Sequence, residues 1–254
     1  MIYTEQKGQG PDVVLVHGWG MHGGIWDSIT KKLAQSHRVT VVDLPGHGNS
    51  TMLPGGFNLL RLALALLEEV PQPATWIGWS LGGMVATQAA LTHPQAINRL
   101  ILVASLPQFA QSEDWPEAMH RGTLSSFASN LGKDYGRTLK RFLGLQVRGA
   151  DNEKELLRLI QQQVFSRPQA DAEALRLGLE ILRSTNLRPQ LSRLTCPVHL
   201  ILGERDMLVP VAAGKAVHEL LPNATCKICP GAGHAPFLSH SEIFLSELEI
   251  LLSQ

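Results

Sequence analysis

The pentapeptide Gly78-Trp79-Ser80-Leu81-Gly82 reads G-x-S-x-G. A serine hydroxyl is a weak nucleophile until a base takes its proton, so the pattern has to find partners elsewhere in the chain. Two stand downstream. Asp206 closes Leu200-Ile201-Leu202-Gly203-Glu204-Arg205-Asp206, and His234 lies between Gly233 and Ala235 in a turn-rich stretch. An imidazole titrates near neutral pH and can accept the serine proton. A carboxylate behind it holds the tautomer and stabilises the imidazolium. Ser80, Asp206 and His234 therefore read as the catalytic residues of acyl transfer through a covalent acyl intermediate. Glu204 is the rival acid, but a carboxylate two residues further past the strand is better placed to reach the site.

Acyl transfer also needs N–H donors for the oxyanion. Leu81, the residue after the nucleophile, offers one. His17-Gly18-Trp19-Gly20 follows an early apolar run, and its Trp19 N–H is the second. His17 reads as a brace for that loop. Trp19 and Trp79, beside the oxyanion loop and the nucleophile, read as walls of an acyl pocket.

These groups must be carried by strand ends. Val13–Val16, Arg38–Val42, Ala74–Trp79 and Ile97–Ala104 are mostly apolar runs of strand length, the mark of buried parallel strands, and Val198–Gly203 and Ala224–Cys229 read as the last two strands. Helical stretches at Ile25–Ala34, Leu59–Val70, Leu81–His93, Val211–Leu221 and Glu242–Leu252 alternate with them. The alternation predicts an α/β fold, a mostly parallel central sheet with helices on both faces. Ser80, Asp206 and His234 then fall at the C-terminal ends of three strands, where α/β sites lie.

Between two of these strands the rhythm changes. Residues 111–188 are Leu-rich, charged and helical in pattern, with breaks near Gly132, Gly149 and Pro168. They read as an inserted lid of about four helices over a core of residues 1–110 and 189–254. At 100° per residue, Lys133, Arg137, Lys140, Arg141 and Arg148 share one helix face, with only Asp134 nearby. Leu139, Phe142, Leu143 and Gln146 share the opposite face. The basic stripe is either a solvated face or a seat for an acidic partner.

The 254 residues carry 22 basic and 22 acidic side chains, so no global field favours nucleic acid. MIYTEQKGQG lacks a signal-peptide pattern, and no apolar run approaches a membrane span. Cys196, Cys226 and Cys229 are an odd set, which fits a reducing cytoplasm. Cys226-x-x-Cys229 sits in a strand-like run without a second ligand pair, so these thiols read as structural.

At this point the chain resembles the α/β-hydrolase superfamily. Within it, the chain resembles the biotin-pathway carboxylesterases that act on a pimeloyl methyl ester held by acyl-carrier protein. The resemblance runs almost end to end. It rests on His17–Gly20, Asp43-Leu44-Pro45-Gly46, Gly78–Gly83, Asp114-Trp115-Pro116, Arg141-Phe142-Leu143-Gly144-Leu145-Gln146, Gly178-Leu179-Glu180-Ile181-Leu182 and Ala235-Pro236-Phe237. It implies the same catalytic trio. It also implies substrate contacts at Trp19, Ser80, Leu81, Phe142, Leu143, Gly144, Leu145, Gln146 and His234. The basic lid surface, including Arg137 and Arg141, would meet the acidic carrier. The expectation is a cytoplasmic, monomeric esterase without metal or cofactor, and without nucleic-acid or membrane partners. The same trio also serves broad short-chain esterases and C–C bond hydrolases, and a silent ligand receptor on this scaffold could keep it.

Overall fold

The structure is a computed structural model that describes residues 1–131, 135–150, 152–221 and 223–253. Gly132, Lys133 and Asp134, named above for a helix break and for the basic stripe, lie outside them. The chain begins with β1 (Thr4–Lys7), β2 (Asp12–Val16), α1 (Asp27–Leu33), β3 (Arg38–Val42), α2 (Leu59–Leu67), β4 (Ala74–Trp79), α3 (Leu81–Thr92) and β5 (Ile97–Val103). Four helices follow: α4 (Arg121–Leu131), α5 (Tyr135–Val147), α6 (Glu153–Val164) and α7 (Ala172–Ser184). The chain then resumes with β6 (Val198–Gly203), α8 (Val211–Leu220), β7 (Thr225–Cys229), α9 (Pro236–Ser239) and α10 (Ser241–Leu252). No helix among the described residues is long and apolar enough to cross a membrane.

The sheet has seven strands in the order β1-β3-β2-β4-β5-β6-β7. All its ladders are parallel except β1 with β3. The chain steps one way from β2 to β3, then back past β2 to β4. The C-terminal ends of β2 and β4 therefore flank a topological switch point, the crevice where open α/β sheets bind ligands. Right-handed crossovers send α1 to one face and α2, α3 and α8 to the other. Every residue of β4 and β6 is buried, which is why both read as mostly apolar runs.

β1 gives no such signal. It is an edge strand whose Glu5 and Lys7 pair at 2.6 Å on a partly solvated ladder. The expected first helix also divides, into a 3-10 turn at Gly23–Trp26 and α1. His22 caps the turn by accepting from Gly24 N–H at 3.1 Å.

The inserted helices are pinned to the core at one end. The Arg167 guanidinium donates to Asp43 at 2.8 Å and to Glu5 at 3.2 Å. Asp43 is fully buried and also accepts from Gly23 N–H at 2.6 Å and Asn49 N–H at 2.8 Å. His22 Nε2–H donates to Gln163 O, and Asp171 N–H to Gly46 O. On α5 the two faces divide as the spacing predicts. Leu139, Phe142, Leu143 and Gln146 are buried, whereas Arg137, Lys140 and Arg141, and Arg148 just past the helix end, are exposed.

Candidate active site

β4 delivers Ser80 at the first turn of α3 with φ 54° and ψ −119°. A non-glycine residue in that region costs on the order of 1–3 kcal/mol and is held only by its surroundings. Those surroundings are specific. Ser80 N–H donates to Val103 O at 3.0 Å, and its carbonyl accepts from Ser105 Oγ–H at 2.7 Å. The flanking glycines permit the turn because strand and helix all but touch there. A Cβ on Gly78 would lie 2.6 Å from Gly82 O, and one on Gly82 would lie 2.5 Å from Val16 O.

β6 and β7 deliver the other two groups. His234 Nδ1–H donates to Asp206 Oδ2 at 2.8 Å, and both side chains are sealed from solvent. Asp206 Oδ1 accepts from Leu208 and Val209 N–H at 2.7 and 2.9 Å, so every lone pair facing the loop is used. The Trp79 indole N–H donates to His234 O at 2.8 Å and fixes the backbone of the histidine. His234 Nε2 is buried and has no hydrogen-bond partner, so it does not bond Ser80 Oγ in this conformation. Such bonds are often long in the empty site and tighten around substrate. Glu204 turns away and accepts from Gly231 N–H at 2.8 Å.

Leu81 is the first residue of α3, where an N–H has no intrahelical acceptor. Trp19 lies in the loop after β2, and its backbone N–H has no acceptor among the described residues. The loop is braced by histidines. His17 Nδ1–H donates to Gly18 O at 2.7 Å while Nε2 accepts from Leu44 N–H at 2.9 Å. His47 Nε2 faces Gly20 N–H at 3.4 Å. Burial holds His17 well below the usual imidazole range and lowers His47 and His22 as well. All three are neutral rings that accept and donate one bond each, as the braces require.

Ser80 and His234 line one cavity together with Phe109, Met119, Leu124, Phe127, Phe142, Leu182 and Leu208. Its volume is about 10 Å3, room for about one water. Among the expected substrate contacts, Ser80, Phe142 and His234 line it directly. Trp19 meets Phe142 edge-on, with ring centroids 4.6 Å apart. Leu143 and Gln146 are buried in the α5 packing, and Gly144 and Leu145 are half-buried. Trp79, expected as a pocket wall, packs behind the site instead, against Phe237 and His234. An aromatic residue next to a nucleophile can face either side of the sheet, and alternation along β4 turns Trp79 and Ser80 apart. Phe109, Met119, Leu124, Phe127, Leu182 and Leu208 were not singled out from sequence. Leu182 belongs to the Gly178–Leu182 motif, which was the one available signal.

The C-terminal turn of α5 rests on the two loops that hold the acid and the base. Arg205 donates to Gly149 O at 2.9 Å. A Cβ on Gly233 would lie 3.1 Å from Arg148 O and 3.3 Å from Gln146 O, so glycine before His234 allows the close seat. The three cysteines are free thiols, and burial pushes Cys229 up to about 11. No group of His, Cys, Asp and Glu among the described residues could hold a metal.

The sequence model of the alpha/beta hydrolase family matches residues 13–247. Among curated proteins, a pimeloyl-[acyl-carrier protein] methyl ester esterase of Methylococcus capsulatus is 46% identical over 241 residues, covering 95% of this chain and 94% of its own. One from Aliivibrio fischeri is 42% identical over 253 residues, covering 100% of this chain and 98% of its own. Among solved structures, an esterase from Exiguobacterium antarcticum superposes with TM-score 0.90 at 23% identity, over 100% of this chain and 96% of that one. A bromoperoxidase from Bacillus anthracis superposes with TM-score 0.89 at 25% identity, over 100% of this chain and 95% of that one. With its sheet order, its strained serine after β4 and a match over nearly its whole length, the chain belongs to the α/β-hydrolase family.

Proposed function

We propose that this chain is a serine carboxylesterase that hydrolyses the methyl ester of pimeloyl-[acyl-carrier protein], releasing methanol and leaving the pimeloyl group on its carrier for biotin synthesis. The observation that carries the chemistry is the sealed Asp206–His234 pair, whose unpartnered Nε2 shares a cavity with Ser80. The substrate rests on full-length relatives that bear that name.

In this reading Ser80 Oγ attacks the ester carbonyl as His234 Nε2 takes its proton. The tetrahedral oxyanion is held by the N–H groups of Trp19 and Leu81. Collapse breaks the C–O bond, and His234 returns the proton to methanol. Water, deprotonated by His234, then attacks the acyl-serine, and the carboxylic acid leaves as the proton passes back to Ser80 Oγ; the acid then ionises in water. Asp206 keeps Nδ1 protonated throughout. The apolar lining suits a polymethylene chain.

A cavity with room for about one water cannot hold that chain, so the helices within residues 111–188 act as a lid that opens to admit it. Arg137 and Arg141 on the outer face of α5 receive the acidic carrier. A cytoplasmic monomer without cofactor goes with this reading.

The test is purified protein with the methyl pimeloyl thioester on its carrier. Loss of the methyl group with the thioester intact is expected, and so is no reaction after Ser80→Ala. Cleavage of the thioester instead, or turnover that survives Ser80→Ala, overturns the assignment.

A further inference from the structure

Gly178 sits inside α7, where glycine costs about 1 kcal/mol relative to alanine. It lines no cavity described above and touches neither Ser80 nor His234. What lies against it is Trp19. A Cβ at position 178 would fall 2.8 Å from Trp19 Cδ1 and 3.2 Å from Nε1, and 3.6 Å from a Leu81 methyl. The side chains of both proposed oxyanion donors therefore converge on the bare backbone of this one residue.

The bare backbone has a use. The Trp19 indole N–H donates to Leu175 O at 2.8 Å, a bond buried on both sides. Leu175 O is a carbonyl of α7 three residues before Gly178, and in a helix the side chain at i+3 flanks the carbonyl of residue i. Only a residue without a side chain at 178 leaves the indole flat against the helix with its N–H on that carbonyl. The other edge of the ring meets Phe142 of α5 at 76°. The Trp19 side chain is thus bonded to α7 and meets α5, while its backbone N–H belongs to the loop after β2.

From this we infer that Trp19 and Gly178 are positioning residues for acyl transfer: the indole bond to Leu175 O, made possible by Gly178, sets the backbone N–H of Trp19 where the oxyanion forms. The inference rests on the oxyanion roles proposed above. It makes the second donor conditional on the seating of α7. The glycine is kept for the geometry of a transition state that it never touches.

The experiment is a double-mutant cycle with Trp19→Phe and Gly178→Ala, read on a short-chain nitrophenyl ester and on inhibition by a matching trifluoromethyl ketone, a mimic of the tetrahedral adduct. Removing an oxyanion donor outright costs about 100- to 1,000-fold in kcat. A misplaced donor should cost about 10- to 100-fold, with KM nearly unchanged and ketone inhibition weakened by the same factor. Gly178→Ala improves the intrinsic helix propensity of α7, so a loss of kcat without a loss of Tm marks positioning. In the double variant the indole bond to Leu175 O is already gone, so the added methyl has no bond left to displace and kcat should match that of Trp19→Phe alone. Additive losses, or Trp19→Phe with kcat and ketone affinity within about twofold of the native protein, would overturn the inference. Ser80→Ala is run beside them. If it abolishes turnover while the cycle is flat, the serine mechanism stands and only the positioning role falls. If turnover survives Ser80→Ala, both fall.

Discussion

Replacing Asp206 by asparagine should nearly silence the enzyme, and the hydrogen bonds say why. Oδ1 accepts from the Leu208 and Val209 N–H groups, and Oδ2 accepts from His234 Nδ1–H. Asparagine has one acceptor oxygen and one NH2. Turning the NH2 toward Leu208 and Val209 would set donors against donors and forfeit two buried hydrogen bonds, at about 1–3 kcal/mol each. The oxygen therefore takes the Oδ1 place and the NH2 takes the Oδ2 place, facing Nδ1. Nδ1 must then accept, and the ring proton moves to Nε2, the atom that has to receive the Ser80 proton. The wrong tautomer lowers kcat by about four decades in a serine–histidine–aspartate site, about 5.4 kcal/mol of barrier. Because both loop bonds survive, Tm should hardly move. Asp206→Ala makes the useful contrast. It removes the carboxylate altogether, so kcat again falls by about four decades, but it also strands Leu208 and Val209 N–H and lowers Tm. Turnover of a nitrophenyl ester and thermal melts of the two variants test the scheme. An Asp206→Asn enzyme within about tenfold of native kcat, or one less stable than Asp206→Ala, would refute the reasoning.

Other outcomes follow from the same structure. Gly136 and Gly144 of α5 have open space where a Cβ would lie, so alanine at each should add about 1 kcal/mol and raise Tm by about 2–4 °C in a thermal melt. Charge reversal at Arg137 and Arg141 should weaken turnover of the carrier-bound ester in a salt-dependent way and spare a free small ester; equal loss on both counts against docking there. Acid should destabilise the fold through His17, His22 and His47, whose folded values burial depresses. The unfolded chain then binds the extra protons, so stability is intact above about pH 6.5 and falls below it by about 1.4 kcal/mol per pH unit for each ring, until the folded values are reached. Urea melts on either side of that pH measure the slope.

Much of this was legible because β4 and β6, which carry the serine and the acid, are buried along their whole length and read as mostly apolar runs such as Ala74–Trp79. The turn at Ser80 was equally plain, since only glycine fits at 78 and 82. Two features were hidden for different reasons. β1 pairs at an edge with half its side chains in solvent, so it carries no apolar signature. The cavity walls from α4 and α7, such as Leu124, Phe127 and Leu182, look in sequence like any leucine or phenylalanine that faces a core. Helical spacing says that a side chain points inward and does not say whether it meets another side chain or a void. The Asp43–Arg167 clasp joins residues far apart in the chain, and neither residue announces its partner.

The seat of α5 on the loops before Asp206 and His234 has an electrical consequence. A helix ends in unpaired carbonyls equivalent to about half a negative charge, and those of Gln146 and Arg148 crowd Gly233, one residue from the base. In the proposed reaction His234 takes up a proton twice in each cycle, once from Ser80 and once from water, with those carbonyls one residue away. In that reaction the roof thus brings the negative end of a helix up to the backbone of the base as well as covering the site.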